Sequence, residues 1–280
     1  MALSATPKLP PLVPSFKNGL YRCDDSDIEE ANTAFRETRP LVLVRDRYRC
    51  VACGVALRTP SEEELKDKYC SAYGIEVHHI DGDHHNNHMS NLVSLCRLCH
   101  SVLHIGFAVE TNLKDCMRII WMPSLTQEEL DLLSWTLAVA IYRGEQNGDE
   151  DVTELVGNAK NIAALLRRQP FPDDFLGNSN AMKAFRETVL CTPDPQKIHP
   201  VRAFARILSR IRSIDVKAYD RRASWLQGLR IFFDPVAHAS FADSGGKQYV
   251  PAIADAGDWC TGTDWVGMWK AISRQFKENN

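Results

Sequence analysis

Four of the nine cysteines fall in two pairs, Cys50/Cys53 and Cys96/Cys99, each with two residues between its members. That interval lets both thiolates of a turn reach one ion, and four thiolates about 2.3 Å from it satisfy tetrahedral zinc. Iron can occupy similar sites, but zinc is the ion expected for a structural cross-link. The alternative is four reduced core cysteines that happen to pair. Between Cys53 and Cys96 lie 42 residues, so an ion would clamp the start of this segment to its end. The cysteine count is odd, and Pro7, Pro10, Pro11 and Pro14 interrupt any apolar export signal at the N-terminus. A disulfide framework is therefore not expected, and the reading is a soluble protein made in the cytosol. The remaining cysteines, Cys23, Cys70, Cys116, Cys191 and Cys260, are expected to be small buried hydrophobes.

Seven of the nine histidines crowd into the same segment: His78, His79, His84, His85, His88, His100 and His104. Adjacent residues of a strand face opposite ways, so His78 and His79 cannot do the same job. His100 and His104 are one helical turn apart and share a face. His84, His85 and His88 are expected to be solvated loop residues.

These groups need a scaffold, and 280 residues allow one large domain or two modest ones. With 25% charged and 44% apolar residues the chain is globular, and a net charge of −3 excludes a globally basic coat. No apolar run reaches the length that spans a bilayer. A proline-rich flexible arm is expected over 1–26. A helix from Asp27, with Ile28, Ala31 and Phe35 on one face, should end at Pro40, and Leu41 to Val44 is β-prone. The knuckle follows, with Gly54 placed for a positive φ. Ser61 and Glu64 form a capping box for a helix over 62–70. Ile75 to Ile80 reads as a strand, then a polar loop to Ser90. A helix should begin near Asn91 and carry Leu92, Leu95, Leu98 and the second cysteine pair.

Thr126 and Glu129 cap a further helix, with Leu130, Leu133, Leu137 and Ile141 on one face and Gly144 as its stop. The polar stretch 144–151 reads as a linker, dividing a unit over 27–145 from a helical unit over 146–234. Helices are expected near 152–168, 180–190, 200–213 and 218–232. The remainder, 235–280, reads as an irregular tail with a terminal helix.

The run His78-His79-Ile80-Asp81-Gly82-Asp83, then Asn86-Asn87, Asn91-Leu92, Cys99-His100 and His104, resembles the HNH nuclease motif in its zinc-knuckle form. The resemblance covers about 44–106 and implies an α+β fold, a ββα-metal domain followed by a mostly helical C-terminal region. Carried over, it makes His79 the general base that deprotonates a water attacking a phosphodiester. His78 and His100, with His104 as a third ligand, would hold a divalent ion such as Mg²⁺, Mn²⁺ or Ni²⁺. Asn91 would orient the base through nearby backbone. The alternative is a zinc-stabilised scaffold that no longer cuts.

Leu43 to Cys50, Asp81-Gly-Asp, Ser90-Asn-Leu-Val93 and Trp121-Met-Pro-Ser-Leu-Thr-Gln-Glu-Glu-Leu130 are similar to a narrower HNH-derived family. This is the IcmJ/DotN family of type IVB (Dot/Icm) secretion systems and related conjugation machines, with similarity over about 30–145 and more weakly to about 233. The resemblance implies a zinc-bearing adaptor of the coupling complex, docked on the coupling ATPase that collects substrates. It would be cytoplasmic and peripheral to the inner membrane through its partners. Members of that family commonly lack the histidine pair, whereas here His78, His79, His100 and His104 are all present. Whether the chain is an enzyme is thus left open by its sequence.

Between Lys197 and Arg230, nine Lys or Arg oppose Asp215 and Asp220. Arg202, Arg206 and Arg210 recur every four residues on one helix face, with Phe204, Ile207, Leu208 and Ile211 opposite. The stripe reads as a dock for DNA phosphates or an acidic partner, or else as an ordinary solvated face. Trp225, Trp259, Trp265 and Trp269 read as core or docking residues.

Overall fold

The computed structural model describes residues 5–17, 28–56, 75–147, 150–167, 199–236 and 250. Helix α1, Ile28–Arg45, runs straight through Pro40. The expected stop and the β-prone run after it are both corrected. Proline costs the helix one hydrogen bond and some steric strain. That loss is offset because Val42 and Leu43 are buried and Arg45 and Asp46 lock the helix end in place. Arg45 Nη1 donates to the Met89 carbonyl and Nη2 to that of Leu92, both at 2.6 Å. Asp46 accepts from Arg45 Nε and from the Ser94 amide, each at 2.8 Å.

Strand β1, Ile75–His79, pairs antiparallel with β2, Leu92–Cys96, so that His78 lies opposite Val93 and Ile75 opposite Cys96. A helix was expected from Asn91. Instead, Asn91 ends a single 3₁₀ turn, and the helix α2 begins at Arg97 and runs to Leu103. All five β2 residues are buried, which an amphipathic surface helix would not permit. The α-helix α3, Ile105–Ala108, follows at once.

Strand β3, Met117–Trp121, pairs with β4, Leu229–Phe233. The second of these strands corrects the helix expected over 218–232. Only two short helices occur there, α7 over Val216–Asp220 and α8 over Arg222–Trp225. Gly228, at φ +86°, turns the chain into β4, and a Cβ there would fall 2.4 Å from the Trp121 ring. Successive strand residues face opposite ways, and the core follows that rule. Ile231 and Phe233 join a cluster containing the cysteines, whereas Phe232 joins a second cluster with α4 and α5.

Helix α4, Gln127–Asn147, opens with the predicted box: the Glu129 amide donates to Thr126 Oγ1 and the Thr126 amide to the Glu129 carboxylate. It runs through Gly144 rather than stopping there. The next helix, α5, spans Glu150–Arg167, so most of the expected linker is helical. Helix α6, Pro200–Ile214, buries Phe204 and Leu208 as expected. The architecture is mixed α+β, with helices around two small antiparallel sheets.

The segment 5–17 is no flexible arm, which corrects that expectation. Leu12 and Ser15 are buried. The Ser15 amide donates to the Val102 carbonyl at 2.9 Å, and its carbonyl accepts from Ile105 at 3.1 Å. Tyr219 Oη binds both the amide and the carbonyl of Phe16, at 2.6 and 2.9 Å. Arg222 reaches Ser15 Oγ, and Arg212 donates to the Phe16 carbonyl. The predicted helices over 62–70 and 180–190, four of the scattered cysteines (Cys23, Cys70, Cys191, Cys260), Trp259, Trp265, Trp269 and nearly all of 235–280 lie outside the described residues. Among those described, no helix is long and apolar enough to cross a membrane.

Candidate metal centres

Cys50 and Cys53 sit in a turn whose backbone is closed by the Cys50 amide on the Val55 carbonyl and by the Gly54 amide on the Cys50 carbonyl. Gly54 takes φ +78°, as its position predicts. Cys96 ends β2 and caps α2, its sulfur accepting from the Cys99 amide at 3.5 Å. The Cys53 amide donates to Cys50 Sγ at the same distance. The helix N-terminus and these amides favour charge on sulfur. Ligand atoms of the four cysteines all lie within 4.8 Å of one another, and Cys53 Sγ is 3.7 Å from Cys96 Sγ. Tetrahedral zinc with sulfurs at about 2.3 Å places them about 3.8 Å apart. The donor set therefore fits such an ion.

Burial pushes the Cys53, Cys96 and Cys99 thiols up. For Cys50 burial acts the same way, but hydrogen bonds from the other three outweigh it and bring its thiol down. Binding a divalent ion would release the other protons.

Helix α4 completes this site in a way the cysteine spacing could not announce. Trp135 Nε1 donates to Cys96 Sγ at 3.2 Å. Asp131 is buried against Cys99 and is held by Gln127 Nε2 at 2.8 Å; burial pushes its carboxyl well above the usual range. Gln127 also bridges to β4, accepting from the Ile231 amide and donating to its carbonyl. Cys116 is a separate buried thiol that donates to the Leu113 carbonyl, and burial raises its pKa to about 12.

The structure also brings His78, His100 and His104 together, with their ligand nitrogens within 4.8 Å of one another. His104 Nε2 is 3.1 Å from His78 Nδ1, and the His100 and His104 rings are 4.4 Å apart. Burial, with the neighbouring imidazoles, takes His78 down to about 3. It lowers His100 and His104 well below the ordinary value too. At neutral pH all three are uncharged and offer lone pairs, as metal ligation requires.

His79 points elsewhere. Its ring stacks on Phe35 at 5.3 Å, and Nε2 is 2.9 Å from Asn87 Oδ1. Asn87 Nδ2 donates to the Ala31 carbonyl, which fixes the amide and makes His79 Nε2 the donor. Asn91 bonds the loop that follows His79: it donates to Asp81 Oδ1 and the Asn86 carbonyl and accepts from the Asp81 amide. Asn87 hydrogen-bonds His79 directly, and sequence reasoning placed it only in a motif.

Of the three loop histidines expected in solvent, His85 is exposed beside Asp83 and His88 is exposed. His84 is not: it is half-buried, 2.8 Å from Lys17 Nζ, with its ring 5.3 Å from that of His79. Of the arginine stripe, Arg206 and Arg210 are exposed and Arg202 pairs with Glu110 at 2.6 Å.

No protein-family model matches the chain. Among curated proteins, the type 4 apparatus protein DotN of Legionella pneumophila is 30% identical over 107 residues. The match covers 38% of this chain and 43% of that protein, so the chain spans less than half of its relative's length. A relationship to DotN is supported over that stretch.

Proposed function

We propose that the chain is a zinc-braced component of a type IV secretion or conjugation apparatus. The observation that carries this reading is the 30% identity to a type 4 apparatus protein. The closed sulfur site supports it, because α4, containing part of the similarity to that family, packs Trp135 and Asp131 directly on the cysteines. On this reading the protein works as an adaptor docked on the coupling ATPase, held near the inner membrane by its partners. Affinity capture from cells with an intact transfer apparatus should recover that ATPase. Repeated recovery of other proteins without it would overturn the reading.

A second reading is favoured by the three imidazoles beside His79: a metal-dependent endonuclease of the HNH kind. A divalent ion held by His78, His100 and His104 would stabilise charge on a phosphodiester and its leaving oxygen. His79, fixed by Phe35 and Asn87, would accept the proton of the attacking water. Plasmid DNA incubated with Mg²⁺, Mn²⁺ or Ni²⁺ tests this reading. It fails if the wild type cuts no faster than His79→Ala.

A further inference from the structure

A groove of about 460 Å³ runs between α3 and α6. We propose that it docks an acidic helical segment of a partner protein. Carboxylates one turn apart on that segment pair with Arg206 and Arg210, and its small apolar side chains enter the groove between them and α3. The inference rests on the adaptor reading only in requiring a partner protein, and it does not depend on which protein that is.

The first support is charge. Arg202, Arg206 and Arg210 all line the groove. Arg206 and Arg210 are exposed and make no ion pair with any described residue. At the third position the pairing is already made once: Arg202 Nη2 donates to the Glu110 carboxylate at 2.6 Å, and Glu110 lines the groove as well. Such charge-assisted bonds are shorter and stronger than neutral ones. Residues four apart on a helix lie about 6 Å apart along its axis. Carboxylates at that interval on a second helix laid along α6 therefore meet Arg206 and Arg210 in register, and continue the pattern that Glu110 begins.

The second support is the rest of the lining. Gly106 and Val109 at α3 and Ala205 on α6 are small or aliphatic, and all three are buried. Residues of that size let a helix approach closely and accept methyl or isobutyl groups, as in other grooves that take amphipathic helices. The same lining does not suit a nucleic-acid strand. Single strands are held by stacking successive bases on aromatic side chains, and among the described residues Phe16 is the one aromatic in the lining. Glu110 would also face a phosphate backbone. The chain as a whole carries a net charge of −3, so a long polyanion meets repulsion beyond the stripe that a short peptide escapes.

Fluorescence anisotropy of the full chain with a labelled peptide of repeated Glu-Ala-Gln-Leu tests the proposal. Its competitors are the same peptide with every glutamate replaced by glutamine, and a single-stranded oligonucleotide of matching charge. The glutamate peptide should bind, and more weakly as salt rises. The double variant Arg206→Ala/Arg210→Ala should bind it about ten-fold more weakly. Glu110→Gln should bind it more tightly, because Arg202 is released. Arg206→Glu/Arg210→Glu should reject it and bind its lysine counterpart, a rescue that a folding defect would not give. Unchanged zinc content and melting temperature confirm that each variant is folded. The proposal is overturned if wild type does not bind the glutamate peptide, or if the alanine double variant binds it like wild type. It is equally overturned if the glutamine peptide or the oligonucleotide competes as well as unlabelled glutamate peptide. The two readings fail separately: affinity capture without the coupling ATPase removes that partner, whereas a peptide indifferent to the arginines removes this groove.

Discussion

Cys99 and His100 are neighbours on α2, yet their side chains enter different surroundings. The sulfur site is enclosed on every side: four cysteines at most 8% exposed, amides from both knuckles, and Trp135 and Asp131 from a helix that begins almost thirty residues later. The histidine site has one buried and two half-buried ligands, and its border is a loop and the arm bearing Lys17. A structural ion needs four protein ligands and no access, whereas a reactive one needs an open position. Two clusters sharing one short helix thus meet opposite requirements, and the difference lies in what packs over each.

Breaking the sulfur site should have the largest effect. Cys96→Ser should lose tightly held zinc and cooperative unfolding together, because binding of such ions supplies about 10–16 kcal/mol in zinc-finger peptides. Elemental analysis and a thermal melt check this. Asp46→Ala comes next, since it leaves Arg45 buried without its partner, at a cost of about 3–5 kcal/mol. A urea titration of the zinc-loaded protein measures it.

Trp135→Phe keeps the shape and removes one N–H from Cys96. Zinc affinity should fall about 10–100-fold in a chelator competition, with the fold intact.

His100→Ala should lose a Ni²⁺ or Mn²⁺ binding event in calorimetry while zinc content stays the same, with stability within about 1–2 kcal/mol of wild type. An equal loss of zinc would erase the distinction between the sites. The histidines also predict a pH effect. His78 titrates at about 3 when folded and near 6.5 when unfolded, so between those values the unfolded chain binds more protons. The contribution of His78 to stability is therefore fully present above about pH 6.5 and is lost as pH falls towards 3. His78→Phe should flatten that slope in urea midpoints measured without added divalent ion.

The cysteine quartet was legible because ligand chemistry imposes a short, recognisable interval, and Gly54 because only a positive φ closes the knuckle. The Thr126 box was legible for the same local reason. What escaped is tertiary. Pro40 lies inside α1 because Arg45 and Asp46 reach partners over forty residues away, which local propensity does not record. Leu92–Cys96 reads as helical until β1 is laid beside it, and Leu229–Phe233 until β3 is. The proline spacing near the N-terminus suggested a flexible arm, but the Leu12 amide donates to the Glu128 carboxylate on α4, and Ser15 is held by Val102 on α2 and Arg222 on α8. Trp135 carried no signal at all, since a lone tryptophan on an apolar helix face looks like core until a sulfur is found at its nitrogen.

The tie between Phe16 and Tyr219 sets an order of events. Some two hundred residues separate them, and β3 waits on β4 across more than a hundred. Contacts this distant form late, after the local ones. On the ribosome, the cysteine knuckles can close as soon as α4 emerges, but the Phe16 backbone lacks its hydrogen bonds to Tyr219 until that residue has been translated. A nascent or truncated chain ending before that residue would thus have its four sulfurs assembled without the Tyr219 brace on the arm beside the histidines.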